Sequence, residues 1–116
     1  MPPSVESLFI PDKKRSGYVF QTFLYASIVS KMQNLKVAPS LLYIHKAASE
    51  DYSPVICLKE PRKNAEPVTD FSIHEDEFRK GLQNLLEEIF HPGVDFTQTE
   101  IEEKCAYCDF KAFCRK

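Results

Sequence analysis

The sequence lacks the features of a membrane, secreted or fibrous protein. It has only three glycines in 116 residues, no internal repeat and no low-complexity tract, which argues against a fibrous or disordered chain. No apolar run approaches the ~20 residues that a membrane-spanning helix needs. Met1 is followed by Pro2, Pro3 and Ser4 instead of a basic segment and an apolar stretch, so a signal peptide is not predicted. We therefore expect an ordered cytoplasmic protein that does not enter a membrane.

The sequence also lacks an excess of positive charge. Its formal net charge is -2, and tight nucleic-acid binding depends on Lys and Arg displacing counterions from phosphates. Basic residues cluster only locally, at residues 13–15, 59–63 and 111–116, where solvated loop charge is the simpler interpretation. Strong DNA binding by this chain alone is therefore not predicted.

The chain is long enough for one modest core and too short for two domains. Its hydrophobic content is 43%, and its eight prolines imply several enforced turns. We divide it into an extended N-terminal arm at residues 1–17, an α/β core at 18–93 and a cysteine-bearing tail at 94–116. The predicted architecture is one partial domain of the α/β class, with two helices on a small mixed sheet.

Hydrophobic periodicity predicts the elements of this core. An amphipathic helix is expected over residues 18–33, with a stop at Asn34. The residues at three- and four-residue steps on its predicted buried face are Phe20, Phe23, Leu24, Ser27, Ile28 and Met32. Strands are expected at 41–45, 55–58 and 68–73, the last two pairing antiparallel. A second helix should follow Ser72, with Glu75 completing a capping box, and should end at His91. Its predicted apolar face comprises Phe78, Leu82, Leu85, Leu86, Ile89 and Phe90.

Three cysteines at the end of the chain have the spacing of metal ligands. Cys105 and Cys108 form a C-x-x-C pair, and Cys114 follows after five residues, so a tight turn and a short helical turn could direct all three sulfurs to one ion or cluster. A disulfide framework is disfavoured in a reducing compartment. The fourth ligand could be His91, His74 or a cysteine from outside this sequence. Cys57 lies in an apolar run and is interpreted as a core residue.

Gln21 and Tyr25 are the polar pair of the first predicted helix. They are four residues apart and therefore share one face, among otherwise apolar neighbours. A polar pair on a buried face needs a partner. The alternative is that Gln21 caps a loop and that the hydroxyl of Tyr25 reaches solvent.

The sequence resembles the end of RecB-like PD-(D/E)XK nuclease domains in the combination of four features. They are the Gln21-x-x-x-Tyr25 helix, a strand at residues 42–47, the second helix and the motif Cys105-x-x-Cys108-x5-Cys114. The resemblance runs from about Leu8 to the C-terminus and is closest to the AddB-like branch. It implies a partial restriction-endonuclease-like fold. It also implies a parent Mg-dependent DNA exonuclease or helicase-nuclease of DNA repair and recombination.

The same resemblance implies roles for individual residues. Gln21 and Tyr25 match a motif that supports the active site, and Cys105, Cys108 and Cys114 match three of four iron-sulfur cluster ligands, the fourth lying far upstream in that branch. The family's catalytic Asp and its Glu-x-Lys or Asp-x-Lys signature bind Mg²⁺ or Mn²⁺ and activate water. They should stand just before Gln21, and they are not there, so no catalytic residue is assigned in this chain.

Three short sequence matches imitate those missing motifs. Pro11-Asp12 repeats the PD dipeptide, Asp12-Lys13-Lys14 repeats D-x-K, and Glu102-Glu103-Lys104 repeats E-x-K. Carboxylates that share a metal must converge from neighbouring strands, whereas these lie in an arm and beyond two helices. We therefore expect a fragment that is inactive alone and begins shortly after the D-x-K strand.

The expected partners of this fragment are DNA, a helicase subunit or domain and the remainder of the nuclease domain. In the isolated fragment, we expect a homodimer to cover the unburied apolar surface.

Two other functions remain open at this point. The first is a non-enzymatic zinc-binding module that recognises a protein or nucleic acid through its tail. The second is an interaction domain without a metal, in which the cysteines are incidental.

Overall fold

The computed structural model describes residues 2–115 as two helices and a small sheet. The helices are α1 (Gly17–Gln33) and α2 (Ser72–Phe90), and the strands are β1 (Cys57–Leu58) and β2 (Glu66–Pro67). β1 and β2 pair antiparallel, with Cys57 opposite Pro67 and Leu58 opposite Glu66. The predicted α/β class and the antiparallel pairing are confirmed. Among the described residues the sheet has these two strands only, and it is antiparallel where a mixed sheet was expected.

Local side-chain chemistry sets both ends of α1. The hydroxyl of Ser16 accepts a hydrogen bond from the backbone N–H of Val19 at 3.3 Å, which satisfies one of the free donors of the first turn. Asn34 ends the helix in the left-handed conformation, with φ 49° and ψ 41°, which Asn tolerates better than most residues. The predicted helix and its stop are both confirmed.

The start of α2 differs from the prediction, although the helix itself is confirmed. The side chain of Ser72 does not cap the helix, so the predicted capping box does not form. Instead, the backbone N–H of Ser72 donates to Oδ1 of Asp70 at 3.0 Å. Asp70 lies two residues upstream of the donor and forms a local turn that leads into the helix.

The predicted strand at residues 41–45 is wrong. Only Ser40 forms an isolated antiparallel bridge, to Val55, and Ile44–Lys46 is a 3-10 turn. The reason is Tyr52, whose hydroxyl accepts from the N–H of Tyr43 and donates to the carbonyl of Leu41, both at 2.6 Å. These backbone groups are bonded to a side chain and are not available to a neighbouring strand.

The predicted strand at residues 68–73 is also wrong in its bounds. β2 ends at Pro67, and α2 begins at Ser72. Val68 still donates its N–H to the carbonyl of Ile56 at 2.8 Å, so the pairing extends one residue beyond the regular ladder. The connection between the two strands lies over residues 59–65, as the charged and proline-containing sequence predicts.

The N-terminal arm is folded into the core, which contradicts the expectation of an extended segment. Glu6–Leu8 forms a 3-10 turn, and the side chains of Val5 and Leu8 are buried. The ring of Phe9 contacts the rings of Phe20 and Phe78, each at a centroid distance of 5.4 Å. The arm therefore supplies apolar surface that α1 and α2 need in order to pack.

A cluster of phenylalanines forms the centre of the core between α1 and α2. Phe78 of α2 contacts the rings of Phe9, Phe20, Phe23 and Phe71 at centroid distances of 5.4 to 6.0 Å, mostly in edge or tilted arrangements. Such aromatic pairs add to the stabilisation that burial of the rings provides. The buried hydrophobic residues are Val5, Leu8, Val19, Phe23, Ala26, Ile56, Leu58, Val68, Phe71 and Phe78.

The C-terminal halves of both helices carry exposed apolar side chains. Ile28 and Met32 of α1, predicted to be on its buried face, are exposed, and Leu86, Ile89 and Phe90 of α2 are exposed as well. The predicted apolar face of α2 is therefore buried only in its first part, at Phe78 and partly at Leu82 and Leu85. Within residues 2–115, no helix combines the length and hydrophobicity that crossing a membrane requires.

Candidate functional site

Gln21 and Tyr25 are hydrogen-bonded to each other on the surface of α1. Nε2 of Gln21 donates to the hydroxyl oxygen of Tyr25 at 3.0 Å, across one helical turn. Both side chains are exposed, so the expectation of a pair on a buried face is wrong. Each residue still offers a polar group for recognition, because the Tyr25 hydroxyl keeps its own proton and Gln21 keeps its carbonyl oxygen.

An aromatic and basic cluster adjoins this face, and sequence reasoning missed it. Tyr18 lies in the first turn of α1, and its ring is 6.0 Å from the ring of Tyr43, edge to face. Nζ of Lys46 lies 5.3 Å from the centroid of Tyr43, within range of a cation–π interaction. His45 lies on the same 3-10 turn, with its ring 6.1 Å from Tyr43. The available signal was the three-residue step from Tyr18 to Gln21, which places both on one helix face.

The three predicted cysteine ligands lie in consecutive turns of the tail. The N–H of Cys108 donates to the carbonyl of Cys105 at 3.2 Å, and the N–H of Cys114 donates to the carbonyl of Phe110 at 3.0 Å. Cys105 and Cys114 are half-buried and Cys108 is exposed, and all three are free thiols. Nε2 of Gln98 donates to the carbonyl of Cys114 at 3.3 Å and ties the last turn to the start of the tail.

The other residues considered as ligands have different surroundings. Nδ1 of His91 accepts the N–H of Gly93 at 2.9 Å, just past the end of α2. His74 is half-buried and lines a cavity of about 280 Å³ together with Glu60 and Asp70. Cys57 is half-buried in β1.

The motif-like acidic residues form no metal site. Asp12 lies in a surface turn, where its Oδ1 accepts the N–H of Lys14 at 2.6 Å. Glu102–Lys104 is a 3-10 turn of the tail. Nζ of Lys13 does reach Oε1 of Glu103 at 3.2 Å, which brings the arm and the tail into contact, but both side chains are exposed.

The donor atoms required for a resident metal or cluster are not assembled. Within the described part of the chain, no three or more His, Cys, Asp or Glu side chains are grouped so that they could hold a metal ion. Neither a Mg²⁺ or Mn²⁺ centre nor a cluster site at the tail cysteines is preassembled among these side chains. No chemical step is derived through such a group.

Comparison with known protein families identifies a family for most of this chain. The family model of the PD-(D/E)XK nuclease superfamily matches residues 7–115. Comparison with curated proteins and with solved structures gave no match. The matched region contains the arm turn at Glu6–Leu8 almost entirely, both helices, the β1–β2 pair and the cysteine turns. The chain belongs to the PD-(D/E)XK nuclease superfamily.

Proposed function

We propose that this chain is the C-terminal part of a RecB-like, AddB-like PD-(D/E)XK nuclease domain in the cytoplasm. In this proposal it supports a DNA exonuclease or helicase-nuclease of repair and recombination and is inactive alone. The observation that carries the proposal is the exposed Gln21–Tyr25 pair, held at 3.0 Å on α1 inside the region that the family model matches. A solvent-facing pair with a remaining donor and acceptor is suited to orienting an active-site group or a nucleic acid.

The metal-binding carboxylates are proposed to come from outside this chain. Members of this superfamily generally use Mg²⁺ or Mn²⁺, and the two carboxyl groups that imitate the motif have structural roles here. Asp12 closes a turn with Lys14, and Glu102 begins the 3-10 turn Glu102–Lys104 of the tail. The Gln21–Tyr25 face of α1 is the proposed point of contact with the carboxylate-bearing segment.

The exposed apolar parts of the helices support the same proposal. Met32 and Phe90 are 78% and 80% exposed near the ends of α1 and α2, and apolar surface of this kind is commonly covered in the assembled protein. We propose that the remainder of the nuclease domain covers it, and that a second copy does so when the chain is isolated. The helicase subunit or domain is the further partner implied by this function.

The test is a cleavage assay on two proteins. The isolated chain should not degrade single-stranded or duplex DNA with Mg²⁺ or Mn²⁺, whereas the protein encoded by the whole reading frame should. In the active protein, Gln21→Ala and Tyr25→Phe should each lower kcat at least tenfold. Gln33→Ala is the matched control, because Gln33 is an exposed glutamine at the last position of the same helix.

Two results would refute the proposal. One is Mg²⁺-dependent cleavage by the isolated chain that disappears in Asp12→Ala, since the carboxylates would then lie within this chain. The other is full activity of both Gln21→Ala and Tyr25→Phe, since the pair would then have no role beside the active site.

A further inference from the structure

Tyr18, Tyr43 and Lys46 lie in contact through the ring of Tyr43, beside the Gln21–Tyr25 face. Tyr18 is 64% exposed and Tyr43 is half-buried, and their rings lie edge to face at a centroid distance of 6.0 Å. Lys46 is exposed and keeps its ammonium 5.3 Å from the Tyr43 centroid. Aromatic faces next to a cation are the combination that single-stranded nucleic acids bind, since each base has a face for stacking and each phosphate a charge.

The position of this surface on α1 connects it to the proposed active-site pair. Tyr18 and Tyr25 are seven residues apart, which is about two turns or ~10 Å along the helix axis, with Gln21 between them on the same face. A strand lying along this face would therefore meet Tyr18 and the Gln21–Tyr25 pair in succession.

The loop that presents Tyr43 is held in place. The hydroxyl of Tyr52 bonds both the N–H of Tyr43 and the carbonyl of Leu41 at 2.6 Å, and the N–H of Lys46 donates to the carbonyl of Tyr43 at 2.9 Å. A ring that is already positioned loses less conformational entropy when a base stacks on it.

We propose that Tyr18 and Tyr43, with Lys46 beside them, form a platform on which bases of single-stranded DNA stack before the strand reaches the Gln21–Tyr25 face. The inference rests on the proposed nuclease function for its biological role, but the binding itself needs no metal and no cleavage. Duplex DNA fits this surface poorly, because its bases are already stacked on one another and their faces are not accessible.

The expected affinity is weak. The net charge of -2 and the acidic pair Glu50 and Asp51 in the turn after Lys46 oppose phosphate binding. We therefore expect a dissociation constant on the order of 10⁻⁴ to 10⁻⁶ M, the range of non-specific binding driven by a few contacts.

The test is fluorescence anisotropy of a labelled oligothymidine of about 12 nucleotides, in EDTA so that no cleavage occurs. Tyr18→Ala and Tyr43→Ala should each weaken binding about tenfold, and Tyr18→Phe should retain it because the ring remains. Lys46→Ala should reduce the slope of log affinity against log salt by about 1. A fully paired duplex containing the same thymidine strand should bind at least tenfold more weakly.

Tyr107→Ala is the matched control, because Tyr107 is a tyrosine of the tail that is 98% exposed; its loss should leave binding unchanged. Tyr18→Ala keeps the test decisive if Tyr43→Ala fails to fold, since the exposed Tyr18 ring is not part of the core. Absence of single-strand binding at millimolar protein, or binding unchanged by Tyr18→Ala, would overturn the platform.

The outcome separates this inference from the proposed function. Unchanged binding by Tyr18→Ala together with a Gln21-dependent nuclease would remove the platform and leave the function standing. Tyrosine-dependent binding without any nuclease activity of the whole protein would support the platform and refute the proposed function.

Discussion

The ring of Phe9 lies directly over the backbone of Gly81 in the middle of α2, so closely that a Cβ built on Gly81 would be 2.5 Å from Cε2 of Phe9. Glycine inside a helix costs about 0.5–1 kcal/mol relative to alanine. The close approach of the ring explains why a residue without a side chain stands there. The contact also fixes the N-terminal arm against the helix.

Gly81→Ala should therefore destabilise the protein by about 1 kcal/mol, because the overpacking cost of about 1–3 kcal/mol exceeds the gain in helix propensity. Urea denaturation measures the change in the free energy of unfolding. Gly17→Ala is the matched control: a Cβ at Gly17, the first residue of α1, meets nothing within 4 Å, so its effect should be neutral or slightly stabilising.

A double-mutant cycle isolates the contact. In a Phe9→Ala background the ring is gone, and Gly81→Ala should become stabilising by the helix-propensity gain of about 1 kcal/mol. If Gly81→Ala is equally unfavourable in both backgrounds, the Phe9 ring is not what excludes a side chain from this position.

The helices could be predicted from sequence, but the arm could not. The bounds of α1 and α2 follow from apolar periodicity and, for α1, from a local end signal at Asn34, all of which act over a few residues. The position of Phe9 depends on a contact with Gly81, more than 70 positions away in sequence. A proline-rich segment with one short apolar patch gives no local sign of that contact.

In the candidate site, too, the features set by neighbouring residues could be predicted from sequence, and the long-range contacts could not. The spacing of Gln21 and Tyr25 predicts that they share a helix face, and the structure adds that they bond to each other and face solvent. The segment at 41–45 has the composition of a strand. The backbone N–H of Tyr43 and the carbonyl of Leu41 are instead hydrogen-bonded to the hydroxyl of Tyr52, which lies outside the segment. The sequence therefore predicts Tyr43 to be a strand residue and gives no sign of its contact with Tyr18.

The carboxyl group of Asp70, two residues before the start of α2, makes the free energy of unfolding depend on pH. Hydrogen bonds from Ser72, first from its side chain and then from its backbone N–H, hold the pKa of Asp70 below its usual range, and the charges of Lys36 and His74 act in the same direction. A lowered pKa in the folded state means that Asp70 stabilises the protein above its ordinary pKa. This contribution is lost as the pH falls through the lowered value.

The unfolding free energy should therefore decrease below about pH 5, and Asp70→Asn should reduce that decrease. Urea denaturation at neutral and acidic pH provides the comparison. Asp95→Asn removes the same charge from an exposed position in the tail and controls for net charge. An identical acid dependence in Asp70→Asn and the wild type would show that the Ser72 hydrogen bonds do not stabilise the ionised Asp70.

The cysteine tail provides the last prediction. The turns place Cys105, Cys108 and Cys114 within ten residues, but the thiols must be drawn together before they can hold a metal. We predict that the protein encoded by the whole reading frame, which would supply the fourth ligand, contains iron and sulfide and is brown when it is purified without oxygen. Cys105→Ser, Cys108→Ser and Cys114→Ser should each remove the colour and lower the thermal midpoint, whereas Cys57→Ser, in β1, should keep both the colour and the iron. One equivalent of zinc with no colour would instead identify a zinc module, and the absence of any metal, with an unchanged midpoint in Cys105→Ser, would show that the thiols are incidental.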